Sequence, residues 1–170
     1  PAPVNAAGIA TINALAPGRT FFGVGAGNTA MRAMGLPPQR IAEFETYLQT
    51  LAPLLKGEEA WYRHGDASLP IRHIMPDKGF ANFDDEIPLY VSGFGPKSLA
   101  LAGRYGHGAV LGAANPSAML GSWHMLAEGA RAVGRELRSP DNPSGESFYT
   151  TALPTMVVLE PEEAVDSPPV

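Results

Sequence analysis

The chain has 170 residues, 45% hydrophobic and 17% charged, which is typical of a soluble globular domain and excludes a disordered chain. A net charge of −5 and an isoelectric point near 5.3 argue against nucleic-acid binding, which usually needs a basic surface. The absence of cysteine excludes disulfides, thiolate metal ligands and cysteine nucleophiles. No apolar run approaches the ~20 residues that span a bilayer.

The first part of the chain predicts a helix followed by a strand. Residues 5–15 predict a short helix whose apolar positions recur at helical spacing. Those positions are Ile9, Ile12 and Leu15. Residues 20–24 predict a buried strand, because they are apolar, partly β-branched or aromatic, and bounded by glycines. Residues 25–32 then predict a loop.

Residues 38–56 give the clearest helical pattern, with an apolar stripe at steps of three and four. The stripe consists of Ile41, Phe44, Leu48, Leu51 and Leu55. Pro38 suits the first turn of this helix, and Gly57 suits the C′ position. Pro53 lies inside the pattern and predicts a kink or an early end to regular hydrogen bonding.

An irregular excursion over residues 58–86, with room for a small hairpin, precedes further strands and helices. The predicted strands are 88–92, 108–111 and 149–159, and the predicted helices are 96–105, 116–133 and a short one from Pro161. The buried stripe of the helix over 116–133 is predicted to be Met119, Trp123, Leu126, Ala130 and Val133. Strands that alternate with helices indicate a parallel sheet. Four strands are compatible with an open doubly wound sheet or with half of a closed barrel.

The first candidate binding element is the glycine cluster after the first strand. Gly25, Gly27 and Ala30 match the dinucleotide spacing G-x-G-x-x-A. A nicotinamide fold also needs an acid after the next strand, and the acids at that distance lie inside the long helix. The loop instead suits close approach of the backbone to a flat ring system, with Asn28 and Thr29 as polar contacts. A tight strand exit without a ligand explains the same glycines.

The second candidate element lies where the strand over 88–92 turns into a helix. The turn consists of Gly93, Phe94 and Gly95, and the helix opens with Pro96 and Lys97. Free N–H groups and the positive end of the helix dipole make such a helix start a potential phosphate site, to which Lys97 adds a point charge. A plain strand-to-helix turn with a solvated lysine is the alternative.

Other residue types carry little chemistry in this sequence. The four histidines are scattered without the spacing of a metal site, and they are His64, His73, His107 and His124. His107 is interpreted as a turn residue, and no G-x-S-x-G elbow supports hydrolysis. No metal site is therefore expected, and no catalytic residue is assigned.

With these residues in view, the chain resembles the bacterial-luciferase-like monooxygenase superfamily. It is most similar to the deazaflavin-dependent, methylenetetrahydromethanopterin-reductase-like branch. The stretches that carry the resemblance are 10–19, 23–35, 40–48 and 87–110, the last with Gly95-Pro96-Lys97 at its centre. The departures are Asn13 where an acid is common, Gly106-His107 where an Ala-Asp pair is common, and Pro53 in the long helix.

The resemblance implies a (β/α)8 barrel with its site at the carboxyl ends of the strands. It implies hydride transfer between coenzyme F420 and a small organic substrate, with an FMN-dependent monooxygenase as the alternative. The loop that contains Gly25, Gly27, Asn28 and Thr29 would lie near the ring system. The segment over residues 93–97 would approach the coenzyme's phosphate.

The resemblance also implies an internal segment, because a full barrel takes about 250 residues. We expect residues 1–170 to form one partial barrel domain that lacks the first strands and the last unit. The open edges and faces of such a segment should make the isolated chain self-associate. A cytoplasmic homo-oligomer without nucleic-acid or membrane partners is the expected setting. A non-catalytic flavin-binding truncated barrel is a further alternative.

Overall fold

The computed structural model describes residues 1–112 and 115–153. Its main feature is a four-stranded parallel sheet with the strand order β1-β4-β5-β6. The strands of the chain are β1 (Phe22–Val24), β2 (Ala60–His64), β3 (Ala67–Ile71), β4 (Leu89–Gly93), β5 (Gly108–Leu111) and β6 (Tyr149–Ala152). The helices are α1 (Ala2–Leu15), α2 (Asn28–Ala33), α3 (Ile41–Leu55), α4 (Pro96–Tyr105) and α5 (Pro116–Arg131).

The predicted alternation of strands and helices is confirmed, and the excursion over residues 58–86 contains the expected small hairpin. β2 and β3 pair in an antiparallel manner, and a 3-10 turn, Pro76–Lys78, follows them. The predicted loop over residues 25–32 is wrong in its second half, because α2 begins there after Gly27 adopts a left-handed φ of 73°. The last predicted strand is described only as β6. Its continuation and the short helix predicted from Pro161 lie outside the described residues.

Helix α3 supplies much of the core, as its stripe predicts. Phe44, Leu48 and Leu51 have no exposed surface. The helix continues past Pro53 to Leu55, so this proline does not end the helix at its own position. Gly57, at a φ of 76°, reverses the chain, and the N–H groups of Gly57 and Glu58 donate to the carbonyls of Leu54 and Pro53. This is the pattern of a glycine at the C′ position, as predicted.

The buried face of α1 differs from the prediction. Ile12 and Leu15 are 51% and 83% exposed. The residues that are buried instead are Ala2, Ala6, Ala10 and Asn13. Hydrophobicity alone favours the larger side chains, but alanines at every fourth position let the backbone of α1 approach α3 closely.

Helices α4 and α5 also pack through small residues. A methyl group at Gly103 would overlap the carbonyl of Leu126, and one at Gly129 would overlap the backbone of Ala100. Of the predicted α5 stripe, Leu126 and Ala130 are fully buried, while Met119 and Trp123 are partly buried. Val133 is 48% exposed, because it lies beyond the last residue of the helix, so that part of the prediction is wrong.

Asn13 is a buried polar residue that connects α1 to the excursion and to the segment before β1. Its side-chain amide donates to the carbonyls of Asn82 (3.1 Å) and Asp85 (2.9 Å). Its oxygen accepts a hydrogen bond from the Thr20 hydroxyl (2.5 Å). All its hydrogen-bonding groups therefore have partners, as burial requires. An ionised acid at this position could not donate to the two carbonyls, so these contacts require the amide.

Replacing Asn13 with aspartate should lower the free energy of unfolding by about 3 kcal/mol, because a carboxyl group would face two carbonyl oxygens in a buried site. Urea unfolding measures the change. The matched control is Asn28→Asp on the exposed start of α2, where only the side-chain oxygen is used, and we expect a change within about 0.5 kcal/mol. Equal losses in both variants would contradict the assigned role of Asn13.

Candidate functional site

Both candidate binding elements lie at the carboxyl edge of the parallel sheet. β1 and β4 are neighbours, with Val24 paired to Val91, so the chain leaves both strands side by side. A methyl group on Gly25 would come 3.2 Å from the Cβ atom of Ser92. The structure therefore places together two glycine turns that are almost 70 residues apart in the sequence.

The first element is a glycine turn that leads into α2. Gly27 supplies the left-handed backbone conformation that caps this short helix. Asn28 and Thr29 are exposed, and the Asn28 side-chain oxygen accepts a hydrogen bond from Nε of Arg32 (2.8 Å). This bond holds the Asn28 side chain against its own helix, and Thr29 beside it is exposed.

The second element has the geometry of an open helix start. A methyl group on Gly93 would lie 2.9 Å from the carbonyl carbon of Ser98, so the turn is too tight for a side chain there. The N–H of Gly95 donates to the Ser98 hydroxyl (3.2 Å), which donates in turn to the Gly95 carbonyl (2.9 Å). Pro96 has no N–H, and the amides of Lys97 and Ser98 have no carbonyl one turn earlier within α4.

The exposed side chains of this second element differ in their contacts. Lys97 is exposed and forms no ion pair within residues 1–112 and 115–153. Phe94 is 68% exposed, but its ring covers Gly112 after β5 so closely that a methyl group there would overlap it. Phe94 thus packs across the end of the neighbouring strand, whereas the Lys97 ammonium has no acidic partner in the part of the chain that the structure describes.

A cavity of about 1020 Å³ opens beside the first element. Gly25 and Gly27 form part of its wall, whereas the residues from Gly93 to Lys97 do not. Its other side chains divide into an apolar group and a polar group. The apolar group includes Val24, Met31, Leu36 and Phe44, and the polar group includes Asn5, Arg40, Glu43 and Tyr47.

Tyr47 is a residue of this cavity that the sequence did not single out. Its hydroxyl accepts a hydrogen bond from the Asn5 side chain (2.7 Å), and burial raises the pKa of the phenol above its ordinary value. The hydroxyl therefore stays protonated and can donate to a ligand. Its position three residues after Phe44, on a face adjoining the apolar stripe of α3, was the available signal.

Metal binding and membrane insertion receive no support from this part of the chain. Across residues 1–112 and 115–153 no group of three or more acidic or histidine side chains could hold a metal ion. Over the same ranges no helix combines the length and the apolar character that crossing a bilayer requires.

Comparison with protein families identifies the group to which this architecture corresponds. Residues 2–166 match the model of the luciferase-like monooxygenase family. The chain belongs to this family. The resemblance seen in the sequence is thereby confirmed, and so is the fold class, a parallel α/β segment of a (β/α)8 barrel.

Two curated relatives and one solved structure indicate the branch of the family. The F420-dependent glucose-6-phosphate dehydrogenase of Beutenbergia cavernae is 35% identical over 115 residues, 62% of this chain and 31% of that protein. The 5,10-methylenetetrahydromethanopterin reductase of Methanolobus tindarius is 25% identical over 147 residues, 82% of this chain and 42% of that protein. A solved F420-dependent secondary alcohol dehydrogenase superposes with a TM-score of 0.64 at 25% identity, covering 89% of this chain and 44% of that one. The chain thus spans less than half the length of each.

The two glycines of the second element should respond differently to the same substitution. Gly93→Ala should lower the free energy of unfolding by about 1–3 kcal/mol, because the added methyl group meets backbone atoms that cannot rotate away. Gly95→Ala is the matched control, since its methyl group would meet nothing within 4 Å at an ordinary φ of −105°. Urea unfolding of both variants checks this, and equal stabilities would show that the turn is not tight.

Proposed function

We propose that the whole protein is a coenzyme F420-dependent oxidoreductase, which transfers hydride between the coenzyme and a small organic substrate. The observation that carries the proposal is the agreement between a sequence relative at 35% identity and a solved structure at 25% identity, both F420-dependent enzymes. The open start of α4 at the carboxyl edge of the sheet supports it, because barrel enzymes bind their ligands at that edge.

The residues of the second element suit the phosphate of such a coenzyme. The amides of Lys97 and Ser98, which have no partner among the described residues, and the dipole of the ten-residue helix favour an anion, and the Lys97 ammonium adds charge. The glycine at the N-cap carries no side chain that could take up these amides. Gly93, Phe94, Gly95, Pro96 and Lys97 would therefore hold the phosphate end.

The first element suits the ring end of the coenzyme. Gly25 and Gly27 keep the backbone bare beside the cavity, and the exposed polar residues Asn28 and Thr29 follow them directly in the chain. When bound, the deazaflavin ring supplies the redox chemistry by accepting or donating hydride. This chain's residues contribute by binding the coenzyme, by orienting it at the sheet edge and by excluding water from it.

The setting of the protein forms part of the proposal. Residues 1–170 act as one partial barrel domain within the whole protein, and the protein works in the cytoplasm as a homo-oligomer on a small-molecule substrate. Exposed aromatic residues support self-association of the isolated chain, since Phe21 and Tyr149 are each 62% exposed among the residues that the structure describes. Size-exclusion chromatography tests it, and a monomer across a wide concentration range would contradict it.

Titration of the full-length protein with F420 and with FMN tests the choice of coenzyme. We expect saturable binding of F420 that is tighter than that of FMN, followed by reduction or oxidation of the bound ring on addition of substrate. A clear preference for FMN would instead indicate an FMN-dependent monooxygenase. Binding of either coenzyme without turnover of any substrate would indicate a non-catalytic flavin-binding barrel.

Reversing the charge of Lys97 should weaken coenzyme binding. We expect Lys97→Glu to raise the Kd for F420 at least about tenfold, because a charge-assisted contact to phosphate becomes a repulsion. Fluorescence titration of the full-length protein measures the Kd. Lys78→Glu is the control, since Lys78 is an exposed lysine of the excursion paired only with Asp77. An unchanged Kd in Lys97→Glu would remove Lys97 from the site.

A further inference from the structure

His107 lies at the amino edge of the sheet, opposite the proposed coenzyme site, and connects three strands. Its backbone N–H donates to the Leu89 carbonyl at the start of β4 (2.8 Å). Its carbonyl accepts from the N–H of Tyr149 at the start of β6 (3.2 Å). In addition, Nδ1 of its ring accepts the N–H of Leu89 (3.1 Å). The imidazole nitrogen therefore accepts the Leu89 N–H in the place of the backbone carbonyl that accepts it in a regular parallel ladder.

The hydrogen bond from the Leu89 N–H to the ring requires an unprotonated Nδ1. A neutral imidazole that accepts at Nδ1 carries its proton on Nε2, which lies 3.3 Å from Oε1 of Glu86. A proton on Nδ1 would point at the Leu89 N–H and leave two donors facing each other. Protonation therefore breaks the ring's hydrogen bond to β4, while the two backbone bonds remain.

The ring is open to protons and surrounded by charges of both signs. It borders a cavity of about 570 Å³ at this edge of the sheet. The charged groups that face this space come from the end of α3, the segment before β4, the end of α4, the segment after α5 and the segment before β6. They are Lys56, Glu86, Arg104, Arg135 and Glu146.

Burial is the largest influence on this histidine and lowers its pKa below the ordinary value of about 6.5. Glu86 and Glu146 act in the opposite direction, while Arg135 and Lys56 add to the lowering. The ring is therefore neutral at neutral pH and accepts the hydrogen bond from the Leu89 N–H. The contact is lost as the pH falls below about 6.5 and through the lowered pKa.

The position of His107 in the chain connects this contact to the coenzyme turn. The residue follows α4 directly, and its ring holds the first residue of β4. β4, the turn over residues 93–95 and α4 thus form one continuous unit, and His107 joins its two ends at the amino edge of the sheet. β4 is five residues long, so the turn lies only about 13 Å away along a single strand.

We propose that His107 is a positioning residue for the coenzyme turn: its neutral ring closes the base of the β4–α4 unit, so that coenzyme affinity depends on a proton at the opposite edge of the sheet. The inference rests on the proposed function, because it assumes that the turn over residues 93–97 binds the coenzyme's phosphate. Binding and deprotonation of His107 would then favour each other, as linkage requires.

The test compares coenzyme affinity with pH in full-length wild type and in His107→Gln, whose side chain can accept the Leu89 N–H but does not titrate. Between about pH 8 and about pH 5 we expect the F420 affinity of wild type to fall at least about fivefold more than that of the variant. His124→Gln, the same substitution at an exposed histidine of α5, should keep the wild-type profile. Identical profiles in wild type and His107→Gln would overturn the inference.

A second measurement does not depend on how the variant folds. The His107 ring of wild type is titrated by NMR with and without F420, and bound coenzyme should lower its apparent pKa. An unchanged titration would also overturn the inference. Failure of the wild type to bind F420 or FMN at any pH overturns the proposed function itself. This outcome differs from failure of the His107 inference alone, in which the coenzyme binds normally and its affinity does not depend on protonation of the His107 ring.

Discussion

The parallel ladder that joins β1, β4 and β5 is the interaction on which the rest of the structure depends. Because the strands run in the same direction, their carboxyl ends meet at one edge, and two turns that are distant in the sequence become neighbours. The close approach of the two turns leaves little room for a side chain at Gly25, which faces Ser92, whereas Gly93 faces the backbone of Ser98 within its own turn. Strand pairing thus accounts for Gly25, and the tight turn into α4 accounts for Gly93.

The two edges of the sheet hold their chain segments in different ways. At the carboxyl edge, Thr29 and Lys97 extend into solvent. At the amino edge, hydrogen bonds are dense. Nη1 of Arg135 donates to the carbonyls of Gly103 (2.9 Å), Arg104 (3.2 Å) and Gly106 (3.0 Å), which end α4. The same guanidinium pairs with Glu146 before β6 (2.8 Å). This division matches barrels generally, in which one face carries stability and the other carries function.

The sequence predicted those elements whose signal is local and strong. α3 has one apolar stripe and a glycine at its end, and these two features agree with each other. The placement of Pro38 in its first turn is wrong, because the helix begins at Ile41 after the N-cap Arg40. α1 has no such agreement, since either its alanines or its larger apolar residues could face the core, and only the distance to α3 decides between them. The six-residue α2 lacks any periodic signal. The cavity beside Tyr47 depends on where α1 and α3 meet, which no local pattern specifies.

The open start of α4 could be predicted because it follows from which residue stands at the N-cap, and a comparison of two helices shows why. In α5 the N-cap is Asn115, whose side-chain oxygen accepts the N–H of Ala118 (2.9 Å), so the helix satisfies its own start. In α4 the N-cap is Gly95, which has no side chain, and Ser98 takes up only the amide of Gly95 itself. The amides of Lys97 and Ser98 have no partner among residues 1–112 and 115–153, and such amides take their acceptor from outside the helix. Glycine at this position therefore leaves the start of α4 without the side-chain cap that Asn115 gives to α5.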